Sequence, residues 1–197
     1  MKTLIHLSDY ELVQEFVNGN GSSLESLINR HRKKVYTYIL LLVKDQHLAE
    51  DIFQDTFIKV LKSLQEGRYK DNGRFLSWVL RIAHNLVIDH FRKEKQLNTI
   101  SNDSYESDIL NSRKLADRNI EDHLITDQIT KDVRRLIQEL PEDQKEVIIL
   151  RHYCGLSFKE IADHTNVSIN TALGRMRYAL INLRRLIKEK NLVLSFD

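Results

Sequence analysis

The stretch Leu156–Leu186, LSFKEIADHTNVSINTALGRMRYALINLRRL, constrains the fold more than any other. Ser157 and Glu160 make an S-x-x-E capping box: the hydroxyl satisfies a free helix N–H and the carboxylate reaches back to the N–H of the cap. Ile161 and Ala162 then face inward, Thr165-Asn166-Val167 is a tight polar turn, and Ser168 caps a second helix. Helical spacing puts Ile169, Ala172, Met176, Ala179, Leu180 and Leu183 on one face of that helix. Asn170, Thr171, Gly174, Tyr178 and Arg185 fall on the opposite side, flanked by Arg175 and Arg177. Amide, hydroxyl and guanidinium groups on one side of a packed helix suit the major groove of duplex DNA. An ordinary helical hairpin with a solvated basic face carries the same pattern, so the rest of the chain must decide.

Elsewhere the chain is built for helices. It has one Pro and six Gly in 197 residues, its apolar fraction of 42% can fill a core, and period-two alternation is hard to find. The expected fold class is all-α. Thirty basic and twenty-eight acidic residues nearly cancel, so their distribution carries the information. Arg68–Lys95 is basic, Gln96–Thr130 acidic, and Asn170–Lys190 basic again, a pattern that suggests two separate polyanion contacts. Cys154 is the only cysteine and sits among apolar residues, which reads as a buried thiol in a cytosolic protein. The N-terminal sequence lacks a secretory h-region with a small-residue cleavage site, and no run reaches the ~18 apolar residues of a membrane span.

Ser8-Asp-Tyr-Glu11 is a second capping box and starts a short helix to about Val17, broken by Asn18-Gly-Asn-Gly21. A longer helix from Ser22 or Ser23 carries Leu24, Leu27, Ile28, His31, Val35, Tyr38 and Ile39 in register. Gln46–Leu64 follows, with Leu48, Ile52, Phe53, Phe57, Val60, Leu61 and Leu64 as its stripe and Glu50, Asp51, Gln54, Asp55 and Lys59 away from it. That polar face is either solvated or docked on a basic partner. Gln65–Gly73 is a loop in which Arg68 and Lys70 neighbour Tyr69 and Asn72, a mixture that suits single-stranded nucleic acid: charges hold phosphates and rings stack on bases. Arg74–Lys95 is apolar over more than half its circumference, so it reads as the central helix of an N-terminal bundle, with His84, Asn85 and Asp89 directed inward and Asp89 placed to pair with Arg92. Trp78 reads as core or as a stacking platform. Gln96–Asp127 is rich in Asn, Ser and Asp and reads as a linker. Helical pattern returns near Gln128, Pro141 ends one helix and opens the next, and Gly155 closes the helix Glu142–Tyr153.

Three of these segments resemble bacterial sigma factors of the extracytoplasmic-function type within the sigma-70 class. Ala49–Leu64 is similar to the core-polymerase-binding helix. Arg74–Lys93 is similar to the promoter −10 helix, whose F-x-x-W-x-x-x-I-A-x-N-x-x-x-D-x-x-R pattern is met by Phe75, Trp78, Ile82, Ala83, Asn85, Asp89 and Arg92. Leu140–Arg185 is similar to the C-terminal helix-turn-helix. The resemblance implies two small helical domains, sigma domain 2 over residues 8–95 and sigma domain 4 over 129–190, joined by a flexible acidic linker at 96–128. It implies a non-enzymatic protein without cofactor or metal, and no zinc spacing, H-E-x-x-H or Gly-rich phosphate loop is found. It also implies core RNA polymerase and promoter DNA as partners, with an anti-sigma factor as a further partner class and no membrane insertion.

By the same resemblance, Asp51, Gln54, Asp55 and Thr56 dock on the polymerase. Tyr69, Lys70, Asn72, Arg74, Arg81 and Asn85 read the single non-template strand at −10. Ser168, Asn170, Thr171, Gly174, Arg175, Arg177, Tyr178, Arg184 and Arg185 contact the −35 duplex. Leu173 departs from the family pattern, standing where a basic residue is common. Two other readings stay open on residues alone: a dimeric helix-turn-helix regulator with an N-terminal effector or dimerisation bundle, and a protein-interaction module with basic faces.

Overall fold

The computed structural model describes residues 6–70, 73–97 and 132–192. Among these there is no strand, and the chain divides into two compact units, Met1–Ser107 and Asp108–Asp197.

The first unit holds four helices: α1 (Asp9–Val17), α2 (Gly21–Val43), α3 (Gln46–Gln65) and α4 (Phe75–Leu97). The Ser8 capping box forms as expected, with the Ser8 N–H donating to Glu11 at 2.7 Å and the Glu11 N–H to the Ser8 hydroxyl at 3.3 Å. Gly19, at φ +98°, turns the chain between α1 and α2, whereas Gly21 is already the first residue of α2 rather than part of the break. Lys44 in the left-handed region ends α2, and the Asp45 carboxylate caps α3 by accepting from the Leu48 N–H at 2.7 Å. Leu12, Leu27, Val35, Tyr38, Ile39, Val60, Leu64, Phe75, Val79 and Leu80 fill the core.

The central element differs from expectation. Both α2 and α3 pack against each of the other three helices, α2 the more extensively, whereas α4 leaves Ile88 and Phe91 exposed near its C-terminal end. Of its three supposedly inward polar groups only His84 turns in, its Nδ1 paired with the Tyr38 hydroxyl at 2.9 Å. Asn85 and Asp89 are exposed, and Asp89 lies 3.7 Å from Arg92. The helix is broad in its apolar arc at the start and narrow at the end, which a single average over its length conceals.

Asp9 straps α1 to α2, with Arg30 at 2.7 Å and His31 Nε2 at 2.8 Å. Burial raises its pKa, but hydrogen bonds and charge from His31 and Arg30 outweigh burial, and the net value lies below the ordinary 3.8. The stability this strap contributes is therefore present above the unfolded value and lost as pH falls through the folded one. In a scan from pH 6 down to about pH 2, the melting-temperature gap between wild type and Asp9→Asn should be open at pH 6, start to narrow only near pH 4 and close as pH falls through the lowered folded value. A gap that stays constant across that range would contradict the assignment.

The second unit holds α5 (described over residues 132–138), α6 (Glu142–Ile148), α7 (Phe158–Thr165) and α8 (Ile169–Glu189). Pro141 is the N-cap of α6. The expected single helix Glu142–Tyr153 is instead an α-helix followed by a π turn, Ile149–Tyr153. Gly155, at φ +78°, reverses the chain after it, and Arg151 braces the reversal by donating to the Leu156 carbonyl at 2.8 Å while lying over the Phe158 ring. The core comprises Leu136, Ile137, Val147–Leu150, Leu156, Ile161, Ala172, Met176 and Ala179. Cys154 is buried among them. The linker assigned to 96–128 lies almost wholly outside the described residues.

Candidate nucleic-acid interface

The helix pair α7–α8 is set by its caps. The Glu160 carboxylate accepts from the Ser157 N–H at 2.8 Å, Asn166 adopts the left-handed φ of +54° at the turn, and the Ser168 hydroxyl accepts from the Thr171 N–H at 3.0 Å. Ser168 thus serves α8 as its cap, and its hydroxyl also meets the Thr171 hydroxyl at 2.9 Å. The buried arc of α8 is narrower than its sequence suggests: Ala172, Met176 and Ala179 are buried, but Ile169 and Leu180 are 46% and 40% exposed. Small alanines let α8 sit close to α6 and α7, so side chains one step off the centre line stay outside.

On the outward side, Asn170, Thr171, Arg177, Tyr178, Arg184 and Arg185 are exposed, and Gly174 is half-buried. Arg185 pairs with Glu189 at 3.0 Å along the helix. Arg175 is an exception: it leans back to Asp143 of α6 at 3.2 Å and helps seat α8 rather than project from it. Asn182 reinforces that seat by donating to Gln144 at 2.8 Å. No side chain inside the protein explains Gly174. A Cβ there would meet nothing within 4 Å, although a glycine in a helix interior costs about 1 kcal/mol relative to Ala.

In the first unit, Gly67 (φ +64°) and Gly73 (φ +74°) bracket the loop before α4. Tyr69 folds down onto Trp78, with ring centroids 4.4 Å apart, and both rings meet Phe75 at 5.8 Å. Phe75 is buried and also reaches the His31 ring of α2 at 5.5 Å. Trp78, Arg81 and Asn85 recur at a helical spacing of three and four residues, so they share one side of α4, and Arg74 stands just before its first turn, its carbonyl accepting from the Trp78 N–H at 3.1 Å. The loop therefore delivers its tyrosine to a stripe of indole, guanidinium and amide groups. Lys70, Arg81 and Asn85 are exposed, and Asn72 lies outside the described residues.

On α3, Asp51, Gln54 and Asp55 are exposed on one side. Thr56 corrects the expected set. It is fully buried, and its hydroxyl donates to the Ile52 carbonyl one turn earlier at 2.7 Å, so it contributes nothing to that polar face. Beside Gln54 runs a groove of about 650 Å³ between α2 and α3, lined by Asn29, Arg32, Lys33, Tyr36, Glu50 and Phe53. Sequence reasoning missed the α2 wall of this groove; the Arg32/Lys33/Tyr36 run was the available signal. Burial, and secondarily the Glu50 charge, raise the Tyr36 pKa.

An all-helical protein with a capped helix-turn-helix in one unit and an aromatic–basic stripe in the other belongs to the class of two-part nucleic-acid readers. Comparison with known proteins narrows the class. The Sigma-70 region 2 family matches residues 27–96 and the Sigma-70, region 4 family matches residues 130–178, together more than half of the chain. The RNA polymerase sigma-H factor of Pseudomonas aeruginosa is 28% identical over 175 residues, covering 85% of this chain and 88% of the relative. CarQ, an RNA polymerase sigma factor of Myxococcus xanthus, is 28% identical over 181 residues, covering 91% and 98%. Among solved structures, the sigma factor RpoE in complex with the anti-sigma factor NepR from Bartonella quintana matches with a TM-score of 0.68 at 20% identity, over 83% of this chain and 96% of that one, a likeness of fold. The chain belongs to the sigma-70 family, as an extracytoplasmic-function type RNA polymerase sigma factor. No helix among the described residues is long and apolar enough to cross a membrane.

Proposed function

We propose that this chain binds core RNA polymerase, carries it to promoters by reading a −35 duplex and a −10 single strand, and helps open the DNA between them. It acts as a cytoplasmic initiation factor rather than an enzyme. Sigma domain 2 spans residues 8–95 and sigma domain 4 spans 129–190, with 96–128 as linker. The observation that carries the reading is the pairing, on one chain, of two different nucleic-acid faces: the polar outer side of α8 and the Tyr69–Trp78 stripe of α4. A dimeric operator-binding regulator has use for the first and none for the second.

In this reading Asp51, Gln54 and Asp55 dock on the polymerase. Tyr69, Lys70, Asn72, Arg74, Arg81 and Asn85 hold the displaced strand at −10, where flipping a base out of the stack costs a few kcal/mol that ring and amide contacts must offset. Asn170, Thr171 and Tyr178 meet base edges or backbone at −35, Arg177, Arg184 and Arg185 meet phosphates, and Ser168 and Arg175 hold α8 in place. An anti-sigma factor is the partner class proposed to keep the chain inactive, as the Bartonella relative was captured with one. Co-elution with core RNA polymerase, followed by permanganate probing of unpaired thymines, tests the reading: the complex should open a promoter bubble that core alone does not.

Gly174 supplies a sharper check. With open space around it, Gly174→Leu should fold normally. If the glycine exists to let the DNA backbone approach, the holoenzyme's affinity for a −35 duplex should fall on the order of tenfold. Unaltered affinity would refute the close approach.

A further inference from the structure

We propose that Leu173 is a specificity-determining residue that reads the C5-methyl group of a thymine in the −35 duplex. The inference rests on the reading of α8 as the helix that enters the major groove.

Leu173 is 44% exposed, in the second turn of a helix whose outward neighbours are amide, hydroxyl and guanidinium groups. It is not a core residue displaced by poor packing, because the core arc of Ala172, Met176 and Ala179 is complete without it. On a helix of 3.6 residues per turn it lies roughly 40° from Ile169 and from Arg177, and roughly 60° from Asn170. Ile169, Leu173 and Leu180 therefore make an exposed stripe along the flank of the reading face, 46%, 44% and 40% accessible. The exposed Arg177 separates Ile169 and Leu173 from Leu180 and its exposed neighbour Ile181, and the exposed Arg184 closes that second pair off one turn later. A surface meant for an apolar protein partner would be contiguous, and guanidinium groups within it would be desolvated at a cost. Alternating isobutyl and guanidinium groups fit a groove whose walls are phosphates and whose floor carries isolated methyls.

Among base edges in the major groove, only thymine presents an apolar group. The N-terminal turns of a recognition helix are those that reach base edges, and a helical Leu side chain points back toward the helix N-terminus. Leu173 is thus carried toward the bases near Asn170, while Leu180, two turns further on, is carried toward the groove's edge. A leucine in contact with a thymine methyl excludes water from both, and the same leucine opposite cytosine N4 would leave a donor unpaired. The preference is selective in both directions.

The test uses holoenzyme reconstituted from core RNA polymerase and the full chain, with a duplex library randomised across the −35 region. Wild type should enrich thymine at one position where Leu173→Ala shows no preference, with the remaining positions of the selected element unchanged. Deoxyuridine in place of that thymine removes only the methyl, and should weaken wild-type binding roughly fourfold, the weight of one buried methylene-sized group, while leaving the variant's binding unchanged. Leu173→Arg should shift the preference at that position to guanine. The proposal is overturned if Leu173→Ala selects the same element with the same deoxyuridine penalty, or if it weakens all sequences equally. A wild-type holoenzyme that enriches no sequence at all would overturn the promoter-reading function itself, and this proposal with it.

Discussion

Reversing two carboxylates, Asp51→Lys together with Asp55→Lys, is expected to weaken binding to core RNA polymerase roughly tenfold or more while the protein remains folded. Both groups are exposed, one helical turn apart, on the side of α3 opposite the buried Val60 and Leu64. Neither caps the helix, a task that Asp45 performs. Their removal therefore costs no packing, and the variant's helical circular dichroism and melting temperature should match wild type. If they face a basic partner, reversal converts attraction into like-charge repulsion, and most of the loss should appear in the association rate. The wild-type rate should fall as salt is raised, since exposed charges are screened beyond about 10 Å at 0.1 M, and the variant's should not. Equal affinities for wild type and variant would remove α3 from the polymerase interface.

Phe75→Ala is expected to be the most damaging single substitution at the −10 face. Phe75 is 2% exposed and touches Tyr69 and Trp78 on one side and His31 of α2 on the other. Truncating a buried Phe costs about 3–5 kcal/mol from lost transfer energy and the cavity left behind. Here the cavity opens beneath the tilted tyrosine–indole pair, so the loop loses its seat along with the core. Thermal melts should show the first unit destabilised by that amount, and permanganate reactivity at the promoter should drop more steeply than affinity for core polymerase. Phe75→Leu, which refills most of the volume, should recover much of both. A stability loss below about 1 kcal/mol would mean that Phe75 is not the support claimed.

Much of this was legible in the sequence, for local reasons. Both capping boxes and the Ser168 cap follow from side chains that bond within three residues of themselves, and the Asn166 turn and Gly155 reversal from residues that tolerate a positive φ, so tertiary context cannot easily overrule them. What failed was decided by neighbours. Thr56 enters the polymerase-docking set only through the family resemblance; bonded back to Ile52, its hydroxyl behaves as part of the core, and its spacing from Ile52 and Val60 places it on the buried arc. Period alone turns Ile169 and Leu180 inward, yet alanines at 172 and 179 bring the partner helices close enough to shut them out. The π turn at Ile149–Tyr153, which leaves Ile149 and Leu150 buried, has no signature in residue type. Of the proposed site residues, Trp78, Arg81 and Asn85 share one side of α4 by a spacing already legible in the sequence, whereas the ion pair that draws Arg175 back to Asp143 is tertiary and has no local signal.

The central claim is that this chain turns a non-specific polymerase into a promoter-specific one. Run-off transcription with purified core RNA polymerase, on a template whose −35 and −10 elements were selected by the holoenzyme, measures that directly. A discrete transcript should appear only when the chain is added, and should be lost when either element is scrambled and with the Asp51/Asp55 double reversal. A transcript of equal intensity from core alone, or one indifferent to both elements, would contradict it.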